Sequence, residues 1–480
     1  MKRRSFLNKS LVLAGLPAGS LIQACGWSKT KKGLSYVITQ FEDPALSHFS
    51  YTILTGQKIV VIDPERDPRK YYDYAQENDA RIIAVVETHP HADFVSSHLE
   101  INRDRQADLY ASKLASAVYP HKKFDEGDTI SLSDRVELAA INTPGHSPDS
   151  ISVILREDGK DKAVFTGDAL LFGSVGRPDL REYSGEAATL RKELAQQMYQ
   201  TIHQKYAGLD DAVLVYPAHG AGSLCGKGIR DVKQSTIGYE KENNFAFENV
   251  SEDEFVKVLL ADQPHVPKYF PYDVELNKKG AASLEKALNG VPILSPEGAG
   301  SAKESLVIDS RTSDRYRASH LPRSVNIPEG EKFATWLGTI VGSEEEFYLV
   351  VGNHSDIRKQ LLYVAKIGYE PLLKGVVVYG DHPGDKQEEF DKTEFDAGKE
   401  DFVILDVRSA REAEDEKIFD KAVNIPLPEL EGRLGEIPVN KPVYVHCASG
   451  YRSSIASSLI RKAHPDAHVY DVSGKIKDYR

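Results

Sequence analysis

The chain has 480 residues, too many for one ordinary hydrophobic core, so roughly two to four domains are expected. With 41% hydrophobic and 28% charged residues it has the composition of folded globular domains, and no internal apolar run is long enough to span a bilayer. Sixty Lys and Arg against 72 Asp and Glu leave a formal charge of −12, which argues against nucleic acid as a partner.

The opening stretch MKRRSFLNKSLVLAGLPAGSLIQAC (1–25) has a basic start, an apolar run from Leu11 and small residues before Cys25, the pattern of an export signal. Arg3-Arg4 followed by Ser5-Phe6-Leu7 resembles a twin-arginine signal, with a generic export signal as the alternative. IQAC followed by Gly26 resembles a lipobox, which would make Cys25 the lipidated first residue of a membrane-anchored protein. An exported bacterial protein is therefore expected, in the periplasm or held as a lipoprotein. The chain has three cysteines, Cys25, Cys225 and Cys447, too few for a disulfide framework.

Residues 34–265 alternate short apolar, β-branched runs with helical segments. The runs KIVVIDP, RIIAVVETH, VELAAINTPGH, KAVFTGDALL and AVLVYPAHG stop in Gly, Pro, His or Asp, so polar residues gather where strands end. Residues 266–294, charged and proline-bearing, read as an extension and linker. A repeat follows: SLVIDSRTSDRYRASHLPRSVNIP starts at Ser305 and DFVILDVRSAREAEDEKIFDKAVNIP at Asp401, 96 residues apart. Each unit predicts a buried strand ending in Asp-x-Arg, a polar helix and a return at VNIP, giving one small α/β domain over 295–385 and another over 395–480.

ETHPHADFVSSH, Glu87 to His98, carries His89, His91 and Asp93 at the spacing of a metal-binding loop. His146 in TPGHS, Asp168 in FTGDALL and His219 in YPAHG sit at other strand ends, and the set in this order is a metal-site signature. Together these motifs resemble the metallo-β-lactamase fold, an αββα sandwich with its metal site at one edge of two sheets. Hydrolases of that superfamily hold two metals with His-x-His-x-Asp-His, but here Phe94 stands where the last histidine belongs. A phenyl ring offers no lone pair, so the second position is expected to be empty.

Two histidines and a carboxylate with open positions suit a mononuclear Fe(II) oxygenase. HADFVSSHLE, GRPDL (176–180) and YPAHGAGSLCG resemble the persulfide dioxygenase (sulfur dioxygenase) branch fused to rhodanese domains. That resemblance implies one Fe(II) per chain on His89, His146 and Asp168, with Zn(II) as the alternative. It makes His91, Asp93, Arg177 and His219 supporting or substrate-binding residues. His98 and Cys225 are read as packing residues.

VHCASGYRSS places Cys447 after a buried strand, with Arg452 five positions later. A loop opening onto a helix points backbone N–H groups at the sulfur, and with Arg452 it would stabilise a terminal sulfane-sulfur anion. The unit resembles a rhodanese, which carries sulfur as a cysteine persulfide. Aligning Arg358 of VGNHSDIRKQ with Arg452 puts Asn353 at the cysteine position of the first copy, so that copy is expected to lack transfer activity.

The resemblances imply oxidation of a small thiol persulfide with O2 to sulfite, coupled to sulfur transfer through Cys447, with thiosulfate as a possible end product. A homo-oligomer is expected. Two other readings stay open: a mononuclear zinc thioesterase with accessory rhodanese domains, and a non-enzymatic sulfur carrier using Cys447 alone.

Overall fold

The β-branched runs become two six-stranded sheets in the computed structural model, which describes residues 34–180, 187–300, 305–398 and 401–480. The expected export signal, with Arg3, Arg4 and Cys25, the residue expected to be lipidated, lies outside the described residues. Among the described residues no helix is long and apolar enough to cross a membrane.

The first sheet runs in chain order: β1 (Val37–Asp43), β2 (His48–Thr55), β3 (Lys58–Ile62), β4 (Arg81–Val86), β5 (Asp108–Ala111) and β6 (Lys122–Lys123). The second contains β7 (Thr129–Ser131), β8 (Val136–Asn142), β9 (Ile151–Glu157), β10 (Lys160–Gly167), β11 (Leu214–Pro217) and β12 (Ser235–Thr236), again in chain order across the sheet. Strand alternation explains the layering. Val60 and Ile62 of β3 share a core with Val153 of β9 and Val164 of β10, whereas Ile59 and Val61 pack with Tyr71 and Ile101 from the flanking helices. Both faces of β3 are therefore covered, which is why KIVVI reads as a continuous apolar run. The two sheets, β1–β6 and β7–β12, with the helices packed on their outer faces, form the αββα sandwich.

The segment 266–294 is not a linker. It forms two helices, Phe270–Lys279 and Leu284–Asn289, and buries Phe270, Val274, Leu284 and Leu288 in the core shared with the first repeat. Phe270, Val274 and Asn277 stand at i, i+4 and i+7 and form the buried face. Charged residues on the opposite face dominated the composition and hid that stripe.

Each repeat builds a small parallel sheet. In the first, Leu306–Asp309 lies between Val325–Asn326 and Phe347–Val351, with Leu373–Val378 and Ile293–Leu294 beyond. In the second, Val403–Asp406 lies between Val423–Asn424 and Val443–His446, with Val469–Asp471 at the edge. The repeated letters have repeated jobs. Arg311 Nε donates to Asp309 Oδ1 at 3.0 Å, and Arg408 Nε to Asp406 Oδ1 at 3.0 Å. The Asn326 amide donates to the carbonyls of Asp309 and Arg311, and the Asn424 amide to those of Asp406 and Arg408. The VNIP asparagine thus clamps the Asp-x-Arg strand end in both copies.

Candidate metal centre and sulfur loop

Four loops bring the expected metal residues together at one edge of the sandwich, and a fifth adds Asp63. His89 follows β4, His146 follows β8, Asp168 follows β10 and His219 follows β11, while Asp63 follows β3. His89, His146 and Asp168 are buried, and their donor atoms all lie within 4.8 Å of one another. Nε2 of His89 is 3.9 Å and Nε2 of His146 is 3.5 Å from Asp168 Oδ2. That carboxylate oxygen is buried without a hydrogen-bond partner, which fits a bound cation.

The nitrogen facing away fixes each tautomer. His146 Nδ1–H donates to the Arg177 carbonyl at 2.8 Å. Thr88 Oγ1 gives its only proton to Asp63 Oδ2 at 2.9 Å, so it accepts from His89 Nδ1 at 3.0 Å. Both imidazoles then present an acceptor Nε2 towards Asp168, as a metal ligand must. Gly176 makes the His146 contact possible: a Cβ there would stand 2.2 Å from the Asp168 carbonyl and 2.8 Å from His146 Nδ1.

The supporting residues divide. His219 bridges two carboxylates, with Nδ1 2.7 Å from Asp168 Oδ1 and Nε2 2.7 Å from Asp93 Oδ2. Burial works against charging this ring, but Asp168 and Asp93 hold its pKa well above the ordinary value. Burial likewise opposes ionisation of Asp168, yet His219 and the neighbouring histidines bring its carboxyl down to about 2. His91 turns away from the triad: its Nε2 lies 3.2 Å from Asp63 Oδ1 and 3.7 Å from Glu87 Oε2. The Glu87 carboxyl is pushed well up by burial and by Asp63. Arg177 is fully buried, forked onto Asp179 with two contacts of 2.7 Å, so its guanidinium is committed to the scaffold rather than offered to a substrate.

Phe94 packs its ring between two imidazoles, 3.9 Å from the His48 centroid and 4.3 Å from that of His91. Asp93, His219 and Cys225 nevertheless form a second buried group with donor atoms within 4.8 Å. The Cys225 thiol is pushed well up by burial and by the carboxylates of Asp93 and Asp168.

Sequence reasoning missed the residues that hold this loop. The Asn277 amide donates to the carbonyls of His91 at 2.9 Å and Phe94 at 2.7 Å and accepts from Ser96 N at 2.8 Å, and Tyr269 Oη donates to Asp93 O at 3.2 Å. Asp63 and Glu87 under His91 had a signal, because each follows the last apolar residue of a strand run.

In the second repeat, Cys447 is buried and Gly450 N donates to its Sγ at 3.1 Å. Gly450 has φ +103, and this left-handed turn aims the amide at the sulfur before helix Tyr451–Ala463. Arg452 has a partner that the sequence did not suggest: Nη1 and Nη2 reach the two Glu412 oxygens at 2.6 and 2.7 Å. This fork holds the Glu412 carboxyl down at about 2. In the first repeat Asn353 occupies the cysteine position, its N–H donates to Asp356 Oδ2 at 3.0 Å, and Arg358 pairs with Glu285. In the first loop the position matching Gly450 is thus Asp356, whose carboxylate caps the backbone amide of Asn353.

Comparison with known proteins agrees with this anatomy. Residues 43–219 match the metallo-beta-lactamase superfamily. Residues 297–381 and 388–479 each match the rhodanese-like domain. The mitochondrial persulfide dioxygenase ETHE1 of Bos taurus is 29% identical over 260 residues, 52% of this chain and 91% of that protein. The cytoplasmic hydroxyacylglutathione hydrolase of Arabidopsis thaliana is 30% identical over 185 residues, 37% of this chain and 66% of that protein. A crystal structure of a metallo-beta-lactamase from Staphylococcus aureus superposes with a TM-score of 0.66 at 29% identity, covering 72% of this chain and 100% of that one. The chain therefore joins a metallo-beta-lactamase domain, homologous to persulfide dioxygenases, to a C-terminal tandem of rhodanese-like domains.

Proposed function

We propose that the protein is an iron-dependent persulfide dioxygenase with a sulfurtransferase domain. The reaction is R–S–SH + O2 + H2O giving R–SH, sulfite and two protons. The observation that carries this reading is the buried His89–His146–Asp168 set converging on one unpartnered carboxylate oxygen, with Phe94 filling the neighbouring position. A bound iron(II) ion would supply the one-electron and O2 chemistry that no side chain offers.

The chain's own residues hold and orient. Arg177 O and Thr88 fix the two ligand imidazoles, and His219 keeps a proton between Asp168 and Asp93. Phe94 and His48 exclude water from one side. Cys447 carries sulfane sulfur on its loop, stabilised by Gly450 N–H and the helix N-terminus. Export, and lipid anchoring through Cys25, belong to the same proposal and rest on residues 1–25.

The Asp93–His219–Cys225 group favours a rival, a two-metal hydrolase of thioesters. Oxygen consumption with a small persulfide, read beside sulfite and thiosulfate, separates the two. Uptake of one O2 per sulfite equivalent, retained in Cys447→Ala, is expected. Thioester hydrolysis without O2 uptake would replace this reading with the hydrolase, and loss of all activity in Cys447→Ala would leave a sulfur carrier.

A further inference from the structure

Behind the sulfur loop stands a buried carboxylate, Asp471, that the proposed reaction leaves without a role. It ends the edge strand Val469–Asp471 of the second repeat and pairs in register with Val445, two residues before Cys447. Its Oδ1 accepts from Ser473 N at 2.8 Å, where Ser473 takes a left-handed turn at φ +54. That turn packs directly on Gly450, at which a Cβ would stand 2.9 Å from the Ser473 carbonyl carbon. Gly450 is the residue whose N–H faces the Cys447 sulfur.

The other carboxylate oxygen is held from a different domain. Arg317, on helix Ser313–Ala318 of the cysteine-free repeat, donates from Nη1 to Asp471 Oδ2 at 3.3 Å, and both side chains are largely buried. Asp314, which pairs with Arg317 on the same helix, is the other charge on this side. Buried bonds dock the two repeats in one register: Ser454 Oγ donates to Asn326 Oδ1 at 2.6 Å, and Asn326 N to Ser458 Oγ at 2.9 Å. Burial pushes the Asp471 carboxyl up to about 6, against the downward pull of Ser453 and Arg317, so it is ionised at pH 8.

Ser453 joins this carboxylate to the sulfur. Its buried hydroxyl has one proton and three neighbours: the Gly450 carbonyl at 3.1 Å, Asp471, and Cys447 Sγ at 3.7 Å. A thiol at Cys447 donates to Ser453 Oγ, whereas a sulfur anion can only accept. The more strongly Asp471 draws the proton, the less of it reaches the sulfur.

We propose that Arg317 and Asp471 are a positioning pair through which the cysteine-free repeat sets how readily Cys447 gives up sulfane sulfur, by deciding where the Ser453 proton points. The proposal rests on the sulfurtransferase reading of Cys447. In discharge an acceptor takes the outer sulfur; with cyanide, Cys447–S–S⁻ + CN⁻ gives Cys447–S⁻ + SCN⁻. The carbon lone pair forms the C–S bond, the S–S bond breaks, and its electron pair leaves on Cys447 Sγ. Stabilising that leaving thiolate speeds the step. Arg317 shares the charge of Asp471 and so frees the Ser453 proton for the departing sulfur. Without Arg317 the carboxylate keeps it.

The test loads the full-length protein from glutathione persulfide without oxygen, removes the excess, and follows thiocyanate release by cyanide at pH 8, above a Cys447→Ala control. Arg317→Gln should slow release about threefold, part of the roughly tenfold that one charge-assisted hydrogen bond contributes, because the S–S bond is only partly broken in the transition state. Arg317→Lys should recover most of the rate. Asp471→Asn, which keeps an oxygen for Ser473 N, should instead speed release by a similar factor. Arg317→Gln combined with Asp471→Asn should match Asp471→Asn alone, since Arg317 acts only through that carboxylate. A merely structural role would slow both single variants alike, so rates that fall together would overturn the pair, as would rates equal to those of the unmodified protein. Opposite effects that persist in a Ser453→Ala background would overturn the route through the hydroxyl. No thiocyanate above the control from the unmodified protein would overturn the sulfurtransferase reading and the pair with it.

Discussion

At the scale of the residue, the proposal of one metal rather than two rests on Phe94. Its ring lies against His91 and His48, where the hydrolase pattern has a ligand. Phe94→His is expected to raise bound zinc from one to two per chain in protein loaded with excess zinc; an unchanged ratio would mean that the Asp93 side of the site is closed for another reason. The convergence of His89, His146 and Asp168 was legible because His, Asp and Gly clustered at strand ends. The tautomers were not legible, since they depend on Arg177 O and Thr88, whose positions only the folded chain fixes. Nor was the Arg452–Glu412 fork, because 40 residues separate the partners. His98 shows a different residue-scale effect. Burial, with His91 and Arg66 nearby, brings its pKa down to about 3 from 6.5. The unfolded chain therefore takes up a proton near pH 6.5 that the folded chain refuses. His98 stability is intact above that pH and is lost progressively as pH falls towards 3. Between pH 7 and 5 the stability gap separating the unmodified protein from His98→Gln should shrink by about 2 kcal/mol, measured by urea unfolding of both at each pH. A constant gap would mean that His98 is not held neutral.

At the scale of the element, helix Phe270–Lys279 is the part that composition misread. Its Asn277 satisfies the carbonyls of His91 and Phe94 and the amide of Ser96, three backbone groups of the metal loop. Asn277→Leu leaves those buried groups without partners and is expected to cost about 1–3 kcal/mol, with a fall in metal occupancy at limiting metal. Thermal unfolding and elemental analysis of the variant check both. A stable variant with full occupancy would mean that the loop holds itself. The tandem repeats were read correctly for the opposite reason. Asp-x-Arg and VNIP lie within 18 residues of each other and bond directly, so the whole clamp is local.

At the scale of the whole molecule, Asp93 of the metal-binding loop and Ser449 and Arg452 of the sulfur loop line one cavity, with Thr335 and Trp336 of the cysteine-free copy between them. The sequence pointed to a metal-binding domain, a cysteine loop and a repeat. Their shared space could not be read, because it depends on the docking of Lys366, Glu370 and Asn326 across domain boundaries. All of this turns on the metal. The protein should therefore be purified anaerobically without added metal and its metal content measured per chain by elemental analysis. The account predicts one iron and little zinc. Two zincs per chain would contradict it, and would assign the Asp93–His219–Cys225 group to a second ion and the protein to hydrolysis.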